Sequence, residues 1–335
     1  MPSPVLDSAV VREFEVVLGP DQLISRPEQL RTYECDGLTR SRVVPALVAL
    51  PTSAPEVAAV VRICHVHGIP FVARGAGSGL SGGALPVAEG IVISLARMTQ
   101  ILEIDVDRGE VVVEPGVANL DVTRAVAEYG FYYAPDPSSQ QVCTIGGNIA
   151  ENSGGAHCLK YGFTVNHVLA AQIVLPDGEL VELSVWDEGP DLLGVFVGSE
   201  GTLGIATRLT LRILRGPAAV RTLLAGFAHT DQAGAAVSAI ISSGITPAAI
   251  EMMDRLAIQA CEEIVHAGYP DCGAALIVEL DGPGVESGAF LREVIDICTA
   301  SGANETRVAA TEAERALIWK ARKAAFASMG RISPN

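Results

Sequence analysis

Residues 69–84 read IPFVARGAGSGLSGGA, a short apolar run that ends in a glycine-rich loop. The run from Ile69 to Arg74 is typical of a β-strand. Glycine is the commonest residue of the loop that follows, from Gly75 to Gly83. Because glycine tolerates positive φ and has no Cβ, successive main-chain N–H groups of such a loop can turn toward one anion. The stretch therefore predicts a strand followed by a loop that binds an anion, such as a diphosphate, through its backbone.

The same loop also matches two motifs of other protein classes. GSGLSG, from Gly77, matches the Rossmann dinucleotide fingerprint, and GLSGG, from Gly79, matches the nucleophile elbow of serine hydrolases. Both motifs work only where a helix begins at the loop. Here Pro86 and Gly90 follow, with a β-type run and no helical period, so we favour neither class. A nucleotide P-loop is excluded because the chain contains no Gly-Lys pair.

Charge and composition narrow the class of partner and the compartment. The 335 residues include 23 basic and 39 acidic side chains, a formal net charge of −16, which argues against nucleic acid or an anionic membrane as a partner. No window reads as a membrane span and the N-terminus does not read as a signal peptide. We therefore expect a cytoplasmic protein that is peripheral to a membrane only where partners dock it there. The seven cysteines include no CxxC pair, so they predict neither disulfides nor a metal site.

Three further clusters repeat the character of the first loop. They are Pro135–Ser139 (PDPSS), Thr144–Gly155 (TIGGNIAENSGG) and Gly198–Ile205 (GSEGTLGI). Each combines glycine or proline turns with small hydroxyl or amide side chains, which are typical of backbone-lined binding loops. Main chain that no large side chain covers, at four separate places, predicts one extended ligand that lies across several loops.

The residue composition and the pattern of strand-like and helix-like stretches divide the chain into three parts. Residues 1–42 are predicted to form an N-terminal helical segment. Residues 43–215 are rich in strands, glycine and tight turns, which predicts an α+β domain. After Gly216, strand-like and helix-like stretches alternate through 216–335, which predicts a small ferredoxin-like α+β layer that ends in a helix over 311–329.

The four clusters resemble the flavin-binding signatures of the vanillyl-alcohol-oxidase superfamily, in the same order and spacing. Within it, the run from Cys143 to Tyr161 is similar to the group of glycolate oxidase flavoprotein (D) subunits and D-lactate dehydrogenases of the cytochrome type. The resemblance implies an α+β fold: a PCMH-type FAD-binding domain of two α+β subdomains over 43–215, then an FAD-linked oxidase C-terminal (cap) domain over 216–335. That cap is expected to be incomplete, because relatives continue past the position of Asn335.

The resemblance implies FAD as the cofactor, with the loop from Gly75 to Ser81 around the diphosphate. Ser78 stands where some members tether FAD to a histidine, so non-covalent FAD is expected. No metal ligand is assigned, and a divalent metal is expected only with the segment that relatives carry beyond Asn335. The cofactor contacts implied are Arg74, Gly75, Ala76, Gly77, Ser78, Gly79, Leu80, Ser81, Pro135, Asp136, Ser138, Ser139, Thr144, Gly146, Gly147, Asn148, Asn152, Ser153, Gly154, Gly155, Tyr161, Glu200, Gly201 and Ile205.

The activity implied by the resemblance is FAD-dependent oxidation of a 2-hydroxy acid, of the glycolate or D-lactate type, to the 2-oxo acid by hydride transfer to flavin N5. Partners are then the small 2-hydroxy acid and Fe–S or other electron-transfer subunits. The alternatives are a non-catalytic FAD-binding fragment, an electron-transfer or docking subunit, and a flavin reductase or synthase of the same superfamily. No catalytic base is assigned, Arg322 is the one candidate for a substrate contact, and His157 is expected to be structural.

Overall fold

The computed structural model describes residues 6–282 and 284–332, without the side chains of 284–287 and 332. The helices are α1 (Ser8–Val17), α2 (Pro27–Leu30), α3 (Ala54–His67), α4 (Asn119–Val126), α5 (Ile145–Glu151), α6 (Cys158–Tyr161), α7 (Leu192–Phe196), α8 (Thr230–Ser242), α9 (Arg255–Val265), α10 (Gly284–Ala300) and α11 (Glu312–Ile332). The strands are β1 (Leu23–Ile24), β2 (Leu47–Ala49), β3 (Phe71–Arg74), β4 (Ile91–Ser94), β5 (Ile101–Asp105), β6 (Glu110–Val113), β7 (Phe131–Tyr132), β8 (Val168–Val174), β9 (Leu180–Ser184), β10 (Ile205–Arg212), β11 (Leu214–Arg215), β12 (Ala219–Phe227), β13 (Ala249–Asp254), β14 (Ala274–Gly282) and β15 (Ala303–Val308). The end of the predicted cap domain, residues 333–335, lies outside the described residues.

These elements form two compact units. The first unit comprises Met1–Ser153 and Phe163–Arg215, and the second comprises Gly154–Gly162 and Gly216–Asn335. Residues 154–162 were predicted to be part of the FAD-binding domain, whereas by its contacts this stretch belongs with the second unit. The N-terminal segment 1–42 also differs from the prediction, because it contains the short strand β1 as well as helices.

In the first unit, one sheet carries the glycine-rich loop of residues 75–83 at the end of β3. Its strand order is β1-β2-β4-β3, with β2, β4 and β3 parallel and β1 an antiparallel edge. Helix α3 connects β2 to β3; the hydroxyl of Ser53 caps its start, and Gly68, at φ +62°, ends it. Val57 and Val61 of α3 are buried with Phe14 of α1 in the core of this sheet. The packed sheet therefore fixes the end of β3, where the loop begins.

The second sheet of the first unit is antiparallel, with the order β5-β6-β10-β8-β9. Its β5–β6 hairpin turns at Gly109, where φ is +68°, as the Asp-Arg-Gly sequence predicts. Val111, Leu209 and Ile173 of this sheet pack with Ile145 and Ile149 of α5. The core thus anchors α5, which lies within the cluster Thr144–Gly155.

The second unit is a four-stranded antiparallel sheet of order β13-β14-β12-β15. Alternate residues of β12 and β14 point to opposite faces, which gives two cores. Leu276 and Val278 pack with α8 and α10, whereas Ala275 and Ile277 pack with α9 and α11. The strand order is that of the ferredoxin-like layer predicted from the sequence, with α9 as an additional helix between β13 and β14.

Two glycines of the second unit provide a matched test of this packing. A Cβ at Gly273 would lie 1.8 Å from the carbonyl oxygen of Ala228, whereas a Cβ at Gly234, within α8, meets nothing within 4 Å. We expect Gly273→Ala to lower the free energy of unfolding by about 1–3 kcal/mol through overpacking. Gly234→Ala should raise it by up to about 1 kcal/mol because alanine favours helix. Urea unfolding followed by circular dichroism measures both, and equal effects of the two variants would contradict the packing described.

Candidate functional site

The first unit contains an open cleft of about 990 Å³, a volume that includes the solvent at its mouth. The loop after β3, the start of α5 and the turn after α7 line it. Fifteen of the residues predicted from the sequence lie on its wall: Arg74, Gly75, Ala76, Gly77, Ser78, Gly79, Ser139, Thr144, Gly146, Gly147, Asn148, Ser153, Glu200, Gly201 and Ile205. The fold thus brings together members of all four clusters, which are spread over more than 130 residues of sequence.

The loop after β3 presents a run of unused main-chain donors. Within the described chain, no main-chain N–H of residues 76–81 donates a hydrogen bond. The next amide, that of Gly82, donates to Asp36 Oδ2 at 2.9 Å. Gly77 has φ +69°, the left-handed conformation that glycine adopts without strain. Consecutive unpaired amides on a cleft wall form a nest suited to an anion.

Arg74 supports this loop from below. Its guanidinium donates to the carbonyl oxygens of Cys35 at 2.8 Å and Ala84 at 3.0 Å. It also fills the space that a side chain at residue 77 would need, because a Cβ on Gly77 would lie 2.2 Å from Arg74 Nη2. Burial lowers the pKa of Arg74 from its ordinary value, but a guanidinium stays charged at neutral pH. Arg74 therefore fixes the shape of the loop and places a positive charge beneath it.

Helix α5 forms another part of the wall, although its glycines disfavour helix. Thr144 caps it, since Thr144 Oγ1 accepts from the amide of Gly147 at 3.4 Å. A Cβ at Gly75 would lie 2.1 Å from that hydroxyl, so only glycine fits against the cap. The buried amide of Asn148 accepts from Asn119 Nδ2 at 2.9 Å. Asn148 thus serves in part to fix α5 within the unit.

One hydroxyl on the wall has no partner. Ser199 Oγ is buried and, among the described residues, makes no hydrogen bond. Because a buried polar atom without a partner is costly, a polar ligand that reached this hydroxyl would remove that cost. Its neighbour Glu200 was predicted from the sequence as a cofactor contact, but Ser199 was not. The motif GSEG contains both residues, because Ser199 and Glu200 lie between Gly198 and Gly201.

The cleft differs from the sequence prediction in both directions. The predicted contacts that do not lie on its wall are Leu80, Ser81, Pro135, Asp136, Ser138, Asn152, Gly154, Gly155 and Tyr161, which stay predictions. The wall residues that the sequence analysis did not name are Ala73, Gly83, Ala84, Leu95, Pro115, Cys143, Ile149, Ala150, Glu151, Phe196, Ser199, Gly204 and Ala206. Most of these are apolar or flank a glycine motif, so they carried no pattern of their own.

The second unit contains a buried carboxylate that several donors share. Glu279 of β14 is 3% exposed. It accepts from His157 Nε2 at 3.0 Å, Thr222 Oγ1 at 2.7 Å and Trp319 Nε1 at 2.6 Å, and Arg315 Nη1 lies 3.4 Å away. Burial alone would raise the pKa of Glu279, but the hydrogen bonds and the imidazole hold it at about 2. This ionic network joins the segment 154–162 to the sheet and to α11.

Arg322, the candidate substrate contact, lies on the same helix α11. Its Nε and Nη2 donate to Glu251 Oε2 at 2.9 Å and 2.5 Å. Both side chains are partly exposed. The pair holds the guanidinium in one orientation and leaves its remaining donors available for a second carboxylate.

Comparison with solved structures identifies the fold class. The structure matches 4-ethylphenol oxidase from Gulosibacter chungangensis with a TM-score of 0.82, at 20% identity over all of this chain and 74% of that chain. It matches p-cresol methylhydroxylase with a TM-score of 0.79, at 19% identity over 93% of this chain and 69% of that one. The chain has the two-domain, PCMH-type FAD-binding fold of mixed helices and sheets.

Comparison with protein families is more specific. A model described as "FAD binding domain" matches residues 45–184, and one described as "FAD linked oxidases, C-terminal domain" matches residues 216–334. The chain belongs to the family of FAD-linked oxidases.

Curated relatives match most of this chain. The glycolate oxidase subunit GlcD of Escherichia coli K12 is 46% identical over 94% of this chain and 64% of its own length. The GlcD subunit of Bacillus subtilis 168 is 36% identical over 95% of this chain and 69% of its own length. D-lactate dehydrogenase of Anaerostipes hadrus is 34% identical over 84% of this chain and 61% of its own length. The chain thus spans about two thirds of the length of these relatives.

The described residues include neither a candidate membrane-spanning helix nor a candidate metal-binding cluster. They contain no helix long and apolar enough to cross a membrane. They also contain no group of three or more His, Cys, Asp or Glu side chains placed to hold a metal ion.

The Glu279 network predicts a pH-dependent contribution to stability. Because the pKa of Glu279 is lowered from 4.5 to about 2, its ionised form stabilises the fold above pH 4.5, and this contribution is lost as pH falls toward 2. We expect Glu279→Gln to lower the free energy of unfolding at neutral pH by about 3 kcal/mol, and the difference from wild type to shrink below about pH 4. Fluorescence of Trp319 in a Trp186→Phe background reports the unfolding.

Glu263→Gln is the matched control, because Glu263 is an exposed residue of α9 and its substitution removes the same charge. It should leave stability within about 0.5 kcal/mol of wild type. A loss at Glu279→Gln that does not change with pH would contradict the ionised state assigned to Glu279.

Proposed function

We propose that this chain is the flavoprotein part of an FAD-dependent 2-hydroxy acid dehydrogenase. The observation that carries the proposal is the run of unpaired amides at residues 76–81, of which residues 76–79 lie on the wall of the cleft. An anionic diphosphate is the ligand that such a nest fits best, and the family model adds that the domain binds FAD. FAD would supply the hydride acceptor, at its N5 atom.

The roles of the residues follow from their positions. The amides of residues 76–81 would bind the diphosphate, and Arg74 would supply the positive charge beneath it. Ser199 would donate a hydrogen bond to a polar atom of the cofactor. Ser78 offers a hydroxyl where a covalent tether would need a nucleophile such as histidine, so FAD is held without a covalent bond.

The substrate class rests on the relatives and on Arg322. Relatives at 46% and 34% identity are a glycolate oxidase subunit and a D-lactate dehydrogenase. Arg322, oriented by Glu251, offers a guanidinium to the carboxylate of a small 2-hydroxy acid. Because the similar GlcD proteins are named as subunits, we propose that this chain also works with electron-transfer subunits.

A flavin titration tests the proposal directly. Purified chain reconstituted with FAD should be yellow after gel filtration, and precipitation with acid should release all the flavin because no covalent bond holds it. Addition of glycolate or D-lactate without oxygen should bleach the flavin band. A chain that retains no FAD contradicts the proposal. Bound FAD that resists every 2-hydroxy acid, yet is reduced through a partner protein, would favour the electron-transfer or docking alternative.

Ser199→Ala tests the assignment of the cleft with effects of opposite sign. Removal of a buried hydroxyl that lacks a partner should leave the free energy of unfolding of the FAD-free chain unchanged or raise it by about 1 kcal/mol. FAD affinity should fall by about fivefold to tenfold, since one hydrogen bond to the cofactor is lost. Thermal unfolding and quenching of flavin fluorescence measure the two quantities. Unchanged FAD affinity would place the cofactor away from Ser199.

A further inference from the structure

The cleft that we assign to a diphosphate is bordered mainly by negative charge. The charged side chains at the loop are Asp36, Arg74, Glu151 and Glu200. Arg74 is the single cation among them, and its guanidinium is already bonded to two carbonyl oxygens. A diphosphate diester adds two further negative charges to this site. Its binding must therefore be coupled to some relief of repulsion.

Glu151 is the residue best placed to supply that relief. It ends α5 and lies on the cleft wall directly against the anion-binding loop. A Cβ built at Gly83 would lie 2.8 Å from Glu151 Oε1, and one built at Gly79 would lie 3.8 Å away. No hydrogen bond or ion pair from any described residue reaches the Glu151 carboxylate. By contrast, Asp36 is engaged, since its two oxygens accept from the amides of Leu38 and Gly82.

We propose that Glu151 takes up a proton when the diphosphate of FAD enters the cleft, so that this chain binds its flavin more tightly as the pH falls. The inference rests on the proposed function for the identity of the ligand, but it concerns the residues of this chain alone. A protonated Glu151 would lose its repulsion toward the diphosphate. It would also gain an O–H donor that can hydrogen-bond to a phosphate oxygen.

The direction of the effect follows from the charges around Glu151. Partial burial raises the pKa of Glu151, and the carboxylates of Glu200 and Asp36 raise it further. A bound diphosphate adds negative charge and raises that pKa again, so the complex holds more protons than the free protein does. Affinity for FAD must then fall with rising pH, by up to about tenfold per pH unit for one proton, between the free-state and bound-state pKa values.

Calorimetric titration of the full chain with FAD measures the proton directly. Titrations between about pH 5 and about pH 8, in two buffers of different ionisation enthalpy, give the protons taken up for each FAD bound. We expect net proton uptake in wild type, of at most one proton for each FAD bound. In Glu151→Gln, uptake should be near zero, and affinity at the alkaline end should exceed that of wild type by about tenfold.

Two further variants separate local from general effects. Glu103→Gln removes the same charge from an exposed position on β5, outside the cleft, and should keep the wild-type pH dependence. Glu200→Gln removes one of the carboxylates that act on Glu151 and should reduce the uptake, which gives a second test if Glu151→Gln does not fold. The proposal would be overturned if FAD binding by Glu151→Gln kept the pH dependence of wild type. It would also be overturned if Glu103→Gln changed that pH dependence as much as Glu151→Gln does.

ADP-ribose, a diphosphate diester without flavin, distinguishes this inference from the proposed function. Binding of FAD without proton uptake would overturn the role of Glu151 and leave the proposed function in place. ADP-ribose that binds with proton uptake, while FAD does not bind, would overturn the proposed function and support the role of Glu151. Failure of both ligands to bind at any pH would overturn both.

Discussion

The candidate site depends on one constraint: the loop after β3 must keep a run of main-chain amides unpaired. Residues 76–81 are exposed or half-buried, so water pairs with these amides when no ligand does, but a loop this rich in glycine would collapse onto itself if its ends were free. Arg74 and Asp36 prevent this. The guanidinium donates to the carbonyl oxygens of Cys35 and of Ala84, which directly follows the loop, and the Asp36 carboxylate accepts from the first amide beyond the run, that of Gly82. The glycines make the shape accessible, whereas these two charged side chains make it stable.

A contrast between the two units shows two ways of handling a carboxylate. Glu279 is buried among four donors, which hold it ionised and turn it into a structural centre. Glu151 lies on the wall of a cleft without a donor, beside other carboxylates, which raise its pKa. The same side chain is therefore fixed in one protonation state in the second unit and left able to change in the first.

Much of this could be predicted from the sequence because glycine and turn residues act locally. The strand before Gly75, the hairpin at Gly109 and the alternating pattern after Gly216 all depend on neighbours within a few residues. Helix α5 was missed because Gly146 and Gly147 lower helix propensity, while its stability comes from the Thr144 cap and from Ile145 and Ile149 in the core. The Glu279 network was missed because its partners lie up to 122 residues away in sequence.

The excursion of the chain at Gly154–Gly162 has a consequence for how the protein can be divided. This stretch belongs to the second unit, but covalent bonds join both of its ends to the first. A chain that began at Gly216 would bury Glu279 without His157 and would leave Asp281 without Lys160 and Tyr161. No single cut can therefore yield both units intact. Gene fusion or fission during evolution would have had to carry the two units together, so their sequences are expected to share one history.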